Sequence, residues 1–378
     1  MSRPPPAEYH CPMSSPNTVF MPSYVSPSPS GSFRRLTGGI RYDFELSLRL
    51  EEEGMRVTRF DLETLPRHAK RLRFPAGPLL WKAAGAPPDV LITDLGTSTL
   101  TLGLQDRCVR AGSLAVLVCH HFRGHLERGP FRKLLHHWCE KRIVAGAGLI
   151  VANSPYTRRV LEGMGRKPSD IVTALPGLCV PTAERPAFRD EPRSILLVGN
   201  LEKRKGVLDA VRALDGSGLR KAVLTVVGGD DLEPDYARRV RRLVKRLGLD
   251  GRVLLRGRLD DRELRAAYDD ADVFLLPSRW EGYGMAIAEA MAAGLPVVST
   301  TAGAIPDLVT HGESGLLAEP GDWETAGSHL RRLFTDPDLR LKLAGNALKK
   351  AGGFPGWRES MGAVFLRIQE RLARLSKN

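Results

Sequence analysis

Short apolar runs alternate with helix-like stretches along most of this chain. Val273-Phe274-Leu275-Leu276, closed by Pro277, predicts a buried parallel strand. A polar loop follows from Ser278 to Gly284, then a run of good helix formers, Met285 to Ala292. Gly294 and Pro296 stand in the order that stops a helix, and Val297 to Thr300 predicts the next strand. The same alternation recurs upstream. Strands are expected at Ser194–Gly199, Lys221–Gly228 and Val253–Gly257, with helices at Val207–Leu214 and Arg238–Leu247. In the first half, strands are expected at Thr18–Val25, Met55–Phe60, Pro88–Asp94, Ser113–Cys119, Gly148–Asn153 and Ile171–Leu175. Pro22 sits awkwardly in the first of these. Ile40–Glu53 has apolar residues at helical spacing, and Ser154-Pro155 opens another helix with serine at the N-cap and proline at N1. Phe354–Leu375 closes the chain as an amphipathic helix. Strands and helices in alternation imply an α/β protein with parallel sheets.

Length divides this pattern in two. A chain of 378 residues exceeds what one core holds, about 250–300 residues, and 42% of it is hydrophobic. The expected organisation is a disordered Pro- and Ser-rich tail at 1–16, a Rossmann-like domain at 17–185, a second at 186–353, and a terminal helix at 354–378. Cys179 to Pro192 reads as the linker. No run of about 18 apolar residues occurs, and the N-terminus lacks the apolar centre of a signal peptide. Five cysteines without a CxxC suit a reducing cytoplasm, the expected location.

The net charge of +13 is uneven: residues 1–185 carry 25 Lys and Arg against 16 Asp and Glu, an excess of +9. That favours an anionic partner. Arg67, Lys70, Arg71 and Arg73 lie beside Leu72, Phe74, Leu79, Leu80 and Trp81, a composition suited to peripheral contact with an anionic membrane. Nucleic acid is disfavoured: the basic stretch Arg238–Leu247 carries a core stripe of Val240, Leu243, Val244 and Leu247 and no interleaved aromatics.

Candidate chemistry gathers at the carboxyl ends of the strands, where open α/β sheets bind ligands. Glu281 and Glu289 bracket the Ser278–Gly284 loop with seven residues between them. Glu289 falls on an apolar helix, where a carboxylate needs a partner. Gly282 and Gly284 let backbone approach a ligand closely, with Tyr283 between them. Lys203, Arg204 and Lys205 precede the helix from Val207, a setting for a pyrophosphate clamp. Thr37-Gly38-Gly39 precedes another helix and can present N–H groups to a phosphate, with Arg34 and Arg35 nearby. His120 and His121 end the strand at Ser113–Cys119 and suit hydroxyl binding or proton handling. With His125, His136, His137 and Cys139 they lack the spacing of a zinc site, so no metal is expected. Asp270-Ala271-Asp272 reads as capping and solvated residues, not a metal motif.

The stretch PSRWEGYGMAIAEAMAAGLPVVSTTAGAIPDLVTHGESGLLAEPGD strongly resembles the donor-site block of glycosyltransferase family 4, retaining enzymes of the GT-B fold that use nucleotide-sugars. The likeness covers about residues 190–350 strongly and 17–185 more loosely. It implies two Rossmann-like domains facing across a cleft, with the last helix crossing back to the first. It implies a nucleotide-diphospho-sugar donor, no metal or other cofactor, and a glycan, lipid-linked sugar or small molecule as acceptor. By the resemblance Glu289 accepts the ribose hydroxyls and Glu281 lies nearer the sugar. Lys205, helped by Arg204, neutralises the leaving diphosphate, because Asn200 stands where relatives carry an arginine. Gly38 and Gly39 lie over the phosphates, His120 (in preference to His121) contacts the sugar, and Arg256 and Gly257 lie at the base. A nucleotide-sugar epimerase of the same fold, a glycan phosphorylase and a non-catalytic basic scaffold on membrane or nucleic acid are the competing readings. The phosphorylase lacks a pyridoxal-lysine context, and a scaffold has no need of the glutamate pair or Lys205.

Overall fold

The computed structural model describes residues 17–23, 37–65, 76–122, 129–178, 183–184, 189 and 191–377. The expected tail at 1–16, Arg34 and Arg35, the basic run from Arg67 to Arg73, His125, Cys11, Cys179 and most of the linker lie outside these residues. The first half builds β1 (Thr18–Ser23), α1 (Gly38–Glu52), β2 (Arg56–Asp61), α2 (Ala76–Ala84), β3 (Val90–Asp94), α3 (Ser98–Arg110), β4 (Leu114–Cys119), α4 (Pro130–Gly146), β5 (Leu149–Ala152), α5 (Pro155–Gly163) and β6 (Ile171–Thr173). The second builds β7 (Ser194–Val198), α6 (Val207–Gly216), β8 (Val223–Val227), α7 (Pro234–Arg246), β9 (Val253–Gly257), α8 (Asp261–Asp269), β10 (Val273–Leu275), α9 (Met285–Ala292), β11 (Val297–Thr300), α10 (Ile305–Leu308), β12 (Gly315–Ala318), α11 (Trp323–Thr335), α12 (Pro337–Ala351) and α13 (Trp357–Leu375).

These strands form two six-stranded sheets, ordered β2-β1-β3-β4-β5-β6 and β12-β11-β10-β7-β8-β9, with every pair parallel. Each is an open doubly wound sheet, and the α/β architecture expected from the pattern is the one observed. Strands β4, β5 and β11 are buried throughout, because helices cover both faces, so they read as unbroken apolar runs. Edge strand β2 is partly exposed and alternates. Pro22 is accommodated in β1 because β3 pairs only with Val19 and Phe20; Pro22 lies alongside Phe60 of β2 alone.

Helix α13 begins at Trp357 rather than Phe354 and packs on the first sheet, not the second. Met361, Val364 and Ile368 join Val19, Tyr42, Leu46, Val116 and Val151 in one buried cluster. Arg371 pairs with Asp170 at 2.8 Å, and Trp357 meets Tyr42 edge-on with ring centres 5.8 Å apart. The terminal helix thus completes the core of the first sheet after the chain has built the second.

Candidate active site

Both sheets point strand carboxyl ends into one cleft of about 2160 Å³. Around it stand the starts of α1 and α9 and the turn before α6, and the first amides of a helix have no acceptor within it. Each start is set by local sequence. Thr37 caps α1 by accepting from the Ile40 N–H at 3.3 Å. Gly38 and Gly39 are therefore the first turn of the helix rather than a loop before it. Gly206 and Gly284 precede α6 and α9 in left-handed backbone, φ 67° and 107°. A Cβ on Gly206 would come within 1.9 Å of the Pro277 carbonyl oxygen.

The second sheet contributes a charged cluster. Glu281 is only 4% exposed. Its Oε1 accepts from Lys205 Nζ at 2.7 Å and from Ser278 Oγ at 2.7 Å, and its Oε2 accepts from an Arg204 guanidinium nitrogen at 3.2 Å. Arg204 also donates to Glu202 at 2.9 Å. Burial pushes the Glu281 carboxyl up, but the Lys205 and Arg204 charges, with the hydrogen bonds from Lys205 and Ser278, outweigh it and hold it below its ordinary value. Burial draws the Lys205 ammonium down, against the opposing pull of Glu281. Lys205 and Arg204 both line the cleft. Asn200 accepts from the Gly229 N–H at 2.9 Å and so braces the neighbouring turn.

One turn into α9, Glu289 is buried at the cleft wall and accepts from the Tyr268 hydroxyl at 2.9 Å. Tyr283 and Trp280 also line the cleft. Among the described residues, the Tyr283 hydroxyl and the Trp280 indole N–H are buried without a hydrogen-bond partner, so each has a polar atom to offer a ligand.

From the first sheet comes His120. Its Nε2 lies 2.8 Å from Asp43 Oδ1, with both side chains buried. Burial pushes the imidazole down; the Asp43 carboxylate and its hydrogen bond push it up further, leaving it above the ordinary histidine value. Gly39 fits under this ring, since a Cβ there would sit 3.1 Å from His120 Cδ2. His121 lines the cleft too, edge-on to Trp280 at 6.1 Å between ring centres.

The two halves touch at the cleft. Ser154, the N-cap of α5, donates across it to the Gly282 carbonyl at 2.6 Å, while Asn153 donates to the His120 carbonyl within the first half at 3.3 Å. A Cβ on Gly282 would lie 1.9 Å from the His120 carbonyl oxygen. The close approach that Gly282 permits here is to backbone of the other half. Gly38 faces Met285 in the same way, with 2.7 Å from a Cβ to the sulfur.

The structure brings Gly38, Gly39, His120, Arg204, Lys205, Glu281, Gly282, Tyr283, Gly284 and Glu289 together around one space. It does not bring Arg256 and Gly257. Gly257 takes φ 70° and accepts from the Gly228 N–H, turning the chain at the end of β9 so that Arg256 is exposed. The next residues, Arg258 and Leu259, form the cleft wall instead, with Arg258 donating to Asp231 at 2.5 Å. Sequence reasoning also passes over Asp43, Arg239, Arg258 and Trp280. Trp280 alone carries a signal, as a large aromatic beside Glu281.

Asp272 accepts from the Arg193 and Ser194 N–H groups at 2.7 and 2.8 Å, while Asp270 ends α8 and pairs loosely with Arg189, a structural use of both. His136 is buried and His137 exposed on α4, and among the described residues no three His, Cys, Asp or Glu side chains are grouped to hold a metal ion.

Comparison with known proteins agrees with this layout. The family model described as "Glycosyl transferases group 1" matches residues 182–350, and "Glycosyl transferase 4-like domain" matches residues 29–177. The D-inositol 3-phosphate glycosyltransferase of Corynebacterium jeikeium is 30% identical over 253 residues, 61% of this chain and 59% of that protein. The mannosylfructose-phosphate synthase of Agrobacterium fabrum is 30% identical over 244 residues, 60% of this chain and 53% of that protein. These alignments therefore span little more than half the length of either relative. Among solved structures, the sucrose-phosphate synthase of Thermosynechococcus elongatus superimposes with a TM-score of 0.77 at 22% identity, covering 95% of this chain and all of that one, and it shares the GT-B fold. Anabaena Alr3699/HepE in complex with UDP and glucose superimposes with a TM-score of 0.70 at 18% identity, covering 93% of this chain and 98% of that one. With one family model matching each half and both sheets arranged as in these structures, the chain belongs to the group 1 glycosyltransferases.

Proposed function

We propose that this protein transfers a hexose-type sugar from a nucleotide-diphospho-sugar to a glycan, lipid-linked or small-molecule acceptor, with retention of anomeric configuration and without a metal ion. The Lys205–Arg204–Glu281 cluster carries the reading. As the glycosidic bond breaks, negative charge grows on the distal phosphate oxygen of a nucleoside diphosphate. Two cations held by Glu281 beside helix N-termini stabilise that charge and need little reorganisation. Glu281 keeps both cations in place and is itself a poor nucleophile, since three donors already hold its oxygens. The acceptor hydroxyl then attacks from the face the diphosphate leaves and passes its proton to the departing phosphate oxygen. Glu289 accepts the ribose hydroxyls, with Tyr268 orienting it. Anabaena HepE, solved in complex with UDP and glucose, supports a nucleotide-linked donor for a chain of this fold.

The test is incubation with a panel of nucleotide-diphospho-sugars in EDTA, with alkyl glycosides as acceptors. Chromatography follows release of nucleoside diphosphate, and proton NMR reads the anomeric centre. Release with the donor's anomer kept in the product is expected. An inverted product, or no turnover until a divalent cation is added, contradicts the reading; epimerised donor without release makes the chain an epimerase.

A further inference from the structure

Helix α4 leaves one face in water. Phe131 is 77% exposed, Leu134 69% and Trp138 47%. Spaced by three and then four residues, they form a single stripe along the helix. The opposite face is firmly seated: His136, Cys139, Glu140, Ile143 and Val144 are all buried. The stripe is therefore held outward by a well-packed helix. Large apolar side chains left side by side in solvent mark an interaction surface. Exposed Lys141 and Arg142 stand at its two margins, and Lys133 and His137 are exposed elsewhere on the helix. The Arg142 guanidinium lies 5.6 Å from the Trp138 ring centre and 3.4 Å from Asp106 of α3, the one carboxylate paired with these cations among the described residues.

We propose that this face docks on an anionic lipid bilayer, with Phe131, Leu134 and Trp138 entering the headgroup boundary and the flanking cations meeting lipid phosphates. Charge complementarity selects this occupant. Aromatic and aliphatic residues on one helix face, with Lys and Arg at its margins, are the composition of an interfacial helix. The half of the chain that bears it carries the larger positive excess, +9 over residues 1–185. The expected basic segment at Arg67–Arg73 lies outside the described residues. Its position is functional as well. Gly129, immediately before α4, lines the cleft, so the docked face lies beside the cleft mouth. Resting on the glycosyl-transfer reading above, docking there makes the acceptor an amphiphile reached from the bilayer.

Vesicle flotation tests this with the whole chain. The probes are vesicles of phosphatidylcholine alone and vesicles with about one third phosphatidylglycerol, at low and high salt. The wild type should float with anionic vesicles, less so at high salt, and stay down with neutral ones. Phe131→Ser/Leu134→Ser/Trp138→Ser together should lose binding at least about tenfold, since each buried apolar group adds to the partition. Lys133→Gln/Lys141→Gln/Arg142→Gln should lose the preference for anionic lipid. Phe131→Ser alone, at the most exposed position, supplies the same readout if the triple variant does not fold. The proposal is overturned if the wild type stays down with anionic vesicles, or if the apolar variants float as the wild type does. It is also overturned if the wild type is a dimer that the apolar variants split, for then a second copy occupies the face. Nucleoside diphosphate affinity, measured in parallel, should be equal in all variants; its absence in a wild type that floats would remove the glycosyl-transfer reading and leave the docking face standing.

Discussion

Lys205 and Arg204 converge on one carboxylate, and that convergence determines what each substitution should do. Lys205→Ala removes the nearer cation from a growing phosphate charge, and kcat should fall on the order of 10²-fold or more, with a smaller effect on KM. Steady-state kinetics on the folded variant check it, and wild-type turnover would remove Lys205 from the reaction. His120 is the second sensitive side chain. Its folded-state pKa is raised, so its pairing with Asp43 contributes stability in full below the unfolded value, near about 6.5, and that contribution is lost as pH rises through the folded value. Asp43→Asn takes away the carboxylate charge. The limb on which kcat/KM falls with rising pH should then move to lower pH, and the stabilisation at low pH should shrink. Superimposable pH profiles would show that the imidazolium has no part in turnover. The sequence displays His120 at a strand end, yet not its partner: Asp43 lies 77 residues away on a helix that reads as merely amphipathic.

Elements are readable from sequence where glycine and proline punctuate them. Helix α9 and strand β11 have the bounds expected, because Gly284, Gly294 and Pro296 mark every junction. Helix α3, with Thr and Gly among its residues and no side-chain cap bond, carries no comparable signal. Arg258 escapes for a different reason. A register shift between Val226 and Val227 and the left-handed Gly257 re-aim the chain within two residues, which periodicity cannot resolve. The glycine before α6 combines both kinds of constraint. Gly206→Ala must adopt φ 67° and also fit against the Pro277 carbonyl, so it should cost about 2–4 kcal/mol. Gly248→Ala is the control: its φ is 65° but nothing lies within 4 Å, so strain alone should cost about 1–2 kcal/mol. Denaturant midpoints compare the two. Equal losses would mean that the Pro277 contact places no demand on the turn holding Lys205.

The whole molecule places its chemistry between two sheets that the chain builds in succession and then ties together with α13. The family resemblance of the second half supplies the glutamate pair and Lys205, while a contact across the cleft such as Ser154 to Gly282 joins residues far apart in sequence and appears only in three dimensions. Among the described residues no helix is long and apolar enough to cross a membrane. What the cleft binds is the claim on which the rest depends. Isothermal titration calorimetry of nucleoside diphosphates into the wild type and Glu289→Ala, both in EDTA, tests it most directly. The wild type should bind at least one of them, and Glu289→Ala should bind it about 1–3 kcal/mol more weakly, the worth of a hydrogen bond to a charged group. Equal affinity in the folded variant, or no binding of any nucleoside diphosphate by the wild type, would contradict it.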